Sequence, residues 1–267
     1  MPFYSALPSF VPVLPVIPAD ITADTPDTTV RPPLTLVLLG AGHVAAHLAP
    51  ALAAAGALRP DLVLVSVPDH AVAATIAAAR LPATVAVAHT AGALPLPHHP
   101  RGGVFYPLQT FSAARPLDLR AVPFFLEATD AATAGLLARL ALDLSRQPPH
   151  WLTAAERAPL HLAAVFAANF ANHLLGVSAR VLTAAGGAVP FAVLRPLVEE
   201  VVSKAFAAPD GPFSVQTGPA RRADEVTLAA HRTYLTANPA LTPWAPVYDA
   251  LTAAIQRVAA GGESAAD

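Results

Sequence analysis

Leu34-Thr35-Leu36-Val37-Leu38-Leu39-Gly40-Ala41-Gly42-His43-Val44-Ala45 is the stretch on which the fold turns. An apolar run from Leu34 to Leu39 stops at Gly40, the mark of a buried strand. Helical spacing of apolar residues then runs from His43 to Ala55. Between the two lies G-x-G-x-x-A, and each position has a physical task. Gly40 permits the tight turn, Gly42 lets a backbone approach a pyrophosphate, and Ala45 is small enough for close helix–strand packing. His43 and Val44 open the helix, whose positive end faces the phosphates. The bland alternative is a sharp glycine turn in a sheet domain that binds nothing.

Outward from this point, strands and helices alternate. Asp61–Val67, Thr84–His89, Gly103–Leu108, Val122–Glu127 and His150–Leu152 read as strands. His70–Ala79 and Ala131–Leu144 read as helices. The alternation predicts an α/β domain with a parallel, doubly wound sheet over residues 34–152. After Leu152 the strand signal ends. Thr153 and Glu156 form a capping box that opens a long helix, expected to run to about Ala185 with a kink near Pro159. Gly186 and Gly187 stop it, and helices follow over 191–207, 223–236 and 243–259. The segment 153–260 is therefore expected to be a helical dimerisation and substrate domain. Residues 1–33 read as an extended arm, partly disordered, because Pro12, Pro15 and Pro18 favour polyproline II over a paired strand.

Composition narrows the partners. Only 13% of the 267 residues are charged and the formal net charge is −2, with no charge block to attract nucleic acid or an anionic membrane. There are no cysteines, which excludes disulfides, thiolate nucleophiles and cysteine metal sites. The apolar stretch Leu160–Leu182 carries His161, Asn169, Asn172, His173 and Arg180, too polar for a helix facing lipid. A basic leader is absent, and a cytoplasmic location is the expectation.

Candidate site residues fall at strand ends and on the helices. Ser66, Val67 and Pro68 end one strand, and His89 and Thr90 end the next; ligands of open parallel sheets sit at such carboxyl ends. Gln109 and Thr110 follow another strand and are candidates to bond a substrate or a nicotinamide amide, with ordinary turn polarity as the alternative. His161, Asn169 and Asn172 fall near one face of the long helix, with His173 beside it. Such a stripe bonds another helix or faces a ligand; a metal is disfavoured because no carboxylate shares the spacing. Lys204 is the only lysine and stands four residues after Glu200. It serves either as half of an exposed ion pair or as a proton donor, a role arginine cannot fill. Arg222 follows the turn Thr217-Gly218-Pro219 and is placed to clamp a carboxylate or phosphate.

These segments together resemble a family of Rossmann-like proteins with a C-terminal domain of unknown function 2520. The resemblance is carried by Gly40–Leu48, His89-Thr90-Ala91-Gly92, Gly103–Phe111, His161–Phe166, Asn169, Asn172-His173, and Thr217-Gly218-Pro219 with Arg222, Asp224, Thr227 and His231. That family looks related to pyrroline-5-carboxylate reductase, ketopantoate reductase and the 6-phosphogluconate dehydrogenase superfamily. The resemblance implies NADP as cofactor, a helical homodimerisation domain and a cleft between the domains, and it carries over no substrate; the first expectation is an NADP-dependent reductase of a small carbonyl or imine. Its alternative is a non-catalytic nucleotide-binding or scaffolding relative. One departure stands out. Gly56-Ala57-Leu58-Arg59-Pro60 leads straight into a strand that matches a later one in the family, so about thirty residues, a second strand–helix unit, are missing. The expectation is a smaller sheet with an incomplete adenosine pocket and weak dinucleotide binding.

Overall fold

The computed structural model describes residues 14–15, 34–40, 60–112 and 115–261. Gly42, His43, Val44 and the helix expected over 43–55 lie outside these, as does most of the arm. By its contacts the chain divides into two compact units, Met1–Ala168 and Asn169–Asp267. The division falls inside the long helix, later than the change of sequence pattern at residue 152.

The first unit is built on a seven-stranded sheet whose spatial order follows chain order: β1 (Leu14–Pro15), β2 (Thr35–Leu39), β3 (Leu62–Val65), β4 (Ala86–His89), β5 (Gly102–Pro107), β6 (Phe124–Ala128) and β7 (His150–Trp151). Strands β2 to β5 are parallel. Helix α1 (Asp69–Ala79) links β3 to β4, and α2 (Ala131–Leu144) links β6 to β7. Side chains alternate between the two faces. Leu36, Leu38, Leu62, Leu64 and Phe105 meet Leu137, Leu140 and Ala141 of α2 on one side. Val37, Val63, Val65 and Val87 meet Val72 and Ile76 of α1 on the other. Two-sided burial explains why these strands read as unbroken apolar runs.

Two features depart from expectation. β6 runs antiparallel to β5, because the described residues joining them contain one 3-10 turn, Leu119–Ala121, and no crossover helix. Leu14 and Pro15 pair antiparallel with Leu36 and Thr35 at the outer edge of β2, where an unpaired arm was expected. Proline is tolerated there because only one side of an edge strand is paired. The shortened sheet is as anticipated: β3 pairs directly with β2, Leu36 opposite Leu62 and Leu39 opposite Val65.

The long helix begins as α3 (Ala154–Ala164), passes through a π-helical segment (Val165–Phe170) and continues as α4 (Ala171–Ala184). Both bonds of the capping box form: Thr153 Oγ1 accepts from Glu156 N and Glu156 accepts from Thr153 N. Gly186 and Gly187 follow at φ 95° and 67°, where glycine ends a helix without strain. By length and composition Ala154–Ala184 is apolar enough to cross a membrane. Yet Arg157, in its second turn, is completely buried in the sheet unit by an ion pair with Glu127. The second unit adds α5 (Arg195–Ala207), α6 (Glu225–Ala237) and α7 (Ala245–Ala259).

Candidate functional site

The carboxyl ends of the parallel strands form a continuous lip. Gly40 closes β2 at φ 136°, and a Cβ there would lie 2.0 Å from the Ser66 carbonyl oxygen. Only glycine permits this approach, which lets Ser66 N donate to the Leu39 carbonyl at 2.8 Å. One strand along, Thr90 N donates to the Val65 carbonyl at 3.1 Å. Gly40, Ser66 and Thr90 are thereby drawn into line across three strand ends. Val67 is half-buried behind them, and Pro68 caps α1 at the exposed rim.

His89 does not face this lip as a free group. It is buried, its Nε2 donates to the Pro95 carbonyl at 2.9 Å, and its Nδ1 accepts from Ala91 N at 3.2 Å. Those two bonds specify the neutral tautomer with the proton on Nε2. Burial holds its pKa below the ordinary histidine value, against the opposing pull of the Pro95 carbonyl. Its work is to brace the loop that carries Thr90 and Gly92.

That loop is clamped from α3. Arg157 donates to the carbonyls of Leu94 and Leu152, each at 2.8 Å, in addition to its ion pair with Glu127. Four residues along the same helix, His161 Nδ1 lies 3.3 Å from the Tyr106 hydroxyl. A Cβ on Gly92 would come within 2.6 Å of the Tyr106 ring and 2.9 Å of His161 Nδ1. Gly92 therefore gives way to a phenol–imidazole pair at the carboxyl end of β5. Burial raises the pKa of Tyr106 and keeps its proton in place. Tyr106 was not among the candidates read from sequence. Its signal was an aromatic hydroxyl near a strand end, flanked by the buried Phe105 and Pro107. Gln109 and Thr110 form their own exposed turn, in which Gln109 Oε1 accepts from Thr110 N at 2.8 Å.

The other candidates belong to the helical unit. Asn169, within the π-helical segment, and Asn172, on α4, are both exposed. His173 packs edge-on against Trp244, with ring centroids 5.3 Å apart. Lys204 is half-buried on α5, and among the described residues no ion pair joins it to Glu200. The i,i+4 pair on that helix is Arg195–Glu199, at 3.6 Å. Arg222 is exposed on a tight corner in which Ala223 takes φ 51°, a conformation unusual without glycine. Asp224 caps α6 by accepting from Thr227 N, and His231 Nδ1 lies 2.8 Å from the Tyr248 hydroxyl. Among the described residues, no group of acidic or histidine side chains is arranged to hold a metal ion.

Residues 122–255 match the model of the family described as a domain of unknown function (DUF2520). The chain belongs to this family. Its fold matches a crystal structure of a provisionally named NADP oxidoreductase from Bacteroides fragilis, at 30% identity and a TM-score of 0.74, over 83% of this chain and 97% of that one. A protein from Thermotoga maritima shares the fold at 22% identity and a TM-score of 0.61, over 75% of this chain and 80% of that one. No curated protein matches the chain significantly. The Rossmann-like sheet followed by a helical region is thus a shared family architecture.

The described residues fit one part of a nicotinamide dinucleotide better than another. The lip at Gly40, Ser66 and Thr90 offers side-chain-free or small positions where a pyrophosphate approaches strand ends. Beyond it, Gly92, Tyr106 and His161 offer polar groups for the ring end.

Proposed function

We propose that this protein is an NADP-dependent oxidoreductase that reduces a small carbonyl or imine. The observation that supports this most is the aligned strand-end lip, in a chain 30% identical to a protein provisionally named as an NADP oxidoreductase. In this reading Gly40, Gly42, His43 and Val44 hold the pyrophosphate, while Ser66, Val67, Pro68 and Thr90 line the passage toward the nicotinamide. His89 supports that passage from beneath. When bound, the cofactor supplies a hydride. Gln109, Thr110, His161 and His173 contribute to substrate binding, and Arg222 supplies a cation for a carboxylate or phosphate. Asn169 and Asn172 orient the reacting group, and Lys204 delivers the proton that balances the hydride.

The helical half is assigned to a homodimer. Helices α4 and α5 contain no fully buried residue, and Phe206 is 90% exposed, which leaves apolar surface for a second copy. A soluble, cytoplasmic protein fits these assignments.

A second reading, a nucleotide-binding relative without turnover, is favoured by one observation, the absent strand–helix unit. Thermal stabilisation by NADPH, followed by an assay of NADPH oxidation against small carbonyl and imine compounds, separates the two. Stabilisation with compound-dependent oxidation supports the enzyme. Stabilisation without oxidation supports the relative, and no stabilisation contradicts both. Lys204→Arg, which retains charge but cannot release a proton, is expected to lose turnover and keep NADPH binding.

A further inference from the structure

Adenosine recognition in a dinucleotide fold depends on a second strand beside the first, whose carboxyl end presents a group to the ribose. In this chain that place is altered on both sides of β2. Its inner neighbour is β3, in direct parallel register from Leu36–Leu62 to Leu39–Val65. Its outer neighbour is Leu14–Pro15, which runs antiparallel and pairs only with Leu36 and Thr35, at the amino end of β2. A strand in that direction does not deliver its carboxyl end to the cofactor side.

The chain between β2 and β3, residues 40–61, has the length of one crossover and leaves no room for a further strand–helix unit. Among the described residues, the nearby charged groups do not replace the missing one. Asp61 precedes β3, at the edge of the sheet opposite the lip. Arg80 caps the carboxyl end of α1, which starts beside the lip at Pro68 and runs back toward that same far edge. By contrast, the other half of the site is built. Gly40 and Ser66 meet, Thr90 is tied to Val65, and the Tyr106–His161 pair stands beside Gly92.

We infer that this site recognises only the phosphate and nicotinamide end of its cofactor. Its ligand class is then a nicotinamide nucleotide with or without adenosine, the reduced mononucleotide included. This rests on the proposed cofactor-dependent function and refines it, since a site blind to the adenosine ribose cannot distinguish NADPH from NADH.

The test is calorimetry on the full chain with NADPH, NADH, reduced nicotinamide mononucleotide and AMP. The first three are expected to bind within about threefold of one another, and AMP not to saturate. NADPH binding about thirtyfold or more tighter than both NADH and the mononucleotide overturns the inference and leaves the proposed function standing. Saturable AMP binding overturns it in the same way. Failure of all three nicotinamide nucleotides to bind overturns the proposed function and the inference together.

Discussion

The sheet unit completes its core within one chain, and the helical unit does not. Leu62, Leu64, Val104, Phe105, Leu126, Leu137 and Leu140 are fully shielded from solvent in the first. In the second, Leu197, Val201, Val202 and Phe206 are each at least half exposed along a single helix. Both units are rich in apolar residues, so composition alone does not separate them. The difference lies in geometry. A sheet buries both faces under α1 and α2, whereas α5 presents apolar residues on several sides and has too few neighbours to cover them.

Matched truncations sharpen this contrast. Phe105→Ala is expected to destabilise the sheet unit by about 3–5 kcal/mol, because it opens a cavity in a packed core. Phe206→Ala is expected to change unfolding of a monomer by less than about 0.5 kcal/mol while weakening self-association. Urea unfolding and sedimentation, run on both variants, check the pair. A large loss of intrinsic stability in Phe206→Ala, with assembly unchanged, breaks the comparison.

The clamp between α3 and the loop after β4 comes next in size. Arg157→Ala strands Glu127 and frees the Leu94 and Leu152 carbonyls, with an expected cost of about 3 kcal/mol. Its loss should also loosen the loop bearing Thr90 and Gly92. Proteolysis within residues 90–95 is the readout, and unchanged protection there refutes the clamp.

Much of this architecture was legible beforehand because local physics announced it. Thr153 and Glu156 marked the start of the long helix, and Ala131–Leu144 matched its helix at both ends. The direct pairing of β2 with β3 followed from counting residues after Gly40. Strand direction was less legible, since the apolar pattern of β6 is the same whether it runs parallel or antiparallel. The π-helical segment Val165–Phe170 was invisible for a related reason. A wheel drawn at the α-helical period placed His161, Asn169 and Asn172 on one stripe, and the wider turn between them changes that phase. Single-residue roles were the least legible. His89 carried the signs of a ligand, yet both of its nitrogens are bonded within its own loop. Tyr106 became a candidate only when folding brought it to His161 across 55 positions of sequence.

Smaller effects probe the caps and the buried histidine. Thr153→Ala removes the side-chain half of the capping box, the bond from Glu156 N to Thr153 Oγ1, and is expected to cost about 1 kcal/mol, measurable by urea unfolding. No loss would mean that tertiary packing alone fixes the start of α3. His89, with its pKa lowered by burial, stays neutral in the folded chain at a pH where the unfolded chain binds a proton. Its contribution is present above the unfolded value of about 6.5 and is lost as pH falls through the lowered folded value. The urea midpoint should therefore fall between about pH 7.5 and pH 5.5, and fall less in His89→Gln. Equal falls in the two proteins assign the pH dependence elsewhere. The lowered carboxyl pKa values of Asp130, Glu156 and Asp224 act in a separate window, below about pH 4.5.

The cofactor site is proposed to lie at the carboxyl ends of β2, β3 and β4. Amide hydrogen exchange of the full chain, with and without saturating NADPH, tests it most directly. Slowed exchange is expected in peptides covering Gly40, Ser66–Pro68 and Thr90–Gly92, with the strand interiors unchanged. Saturated binding that leaves those three segments as exposed as before, with protection elsewhere, would contradict it.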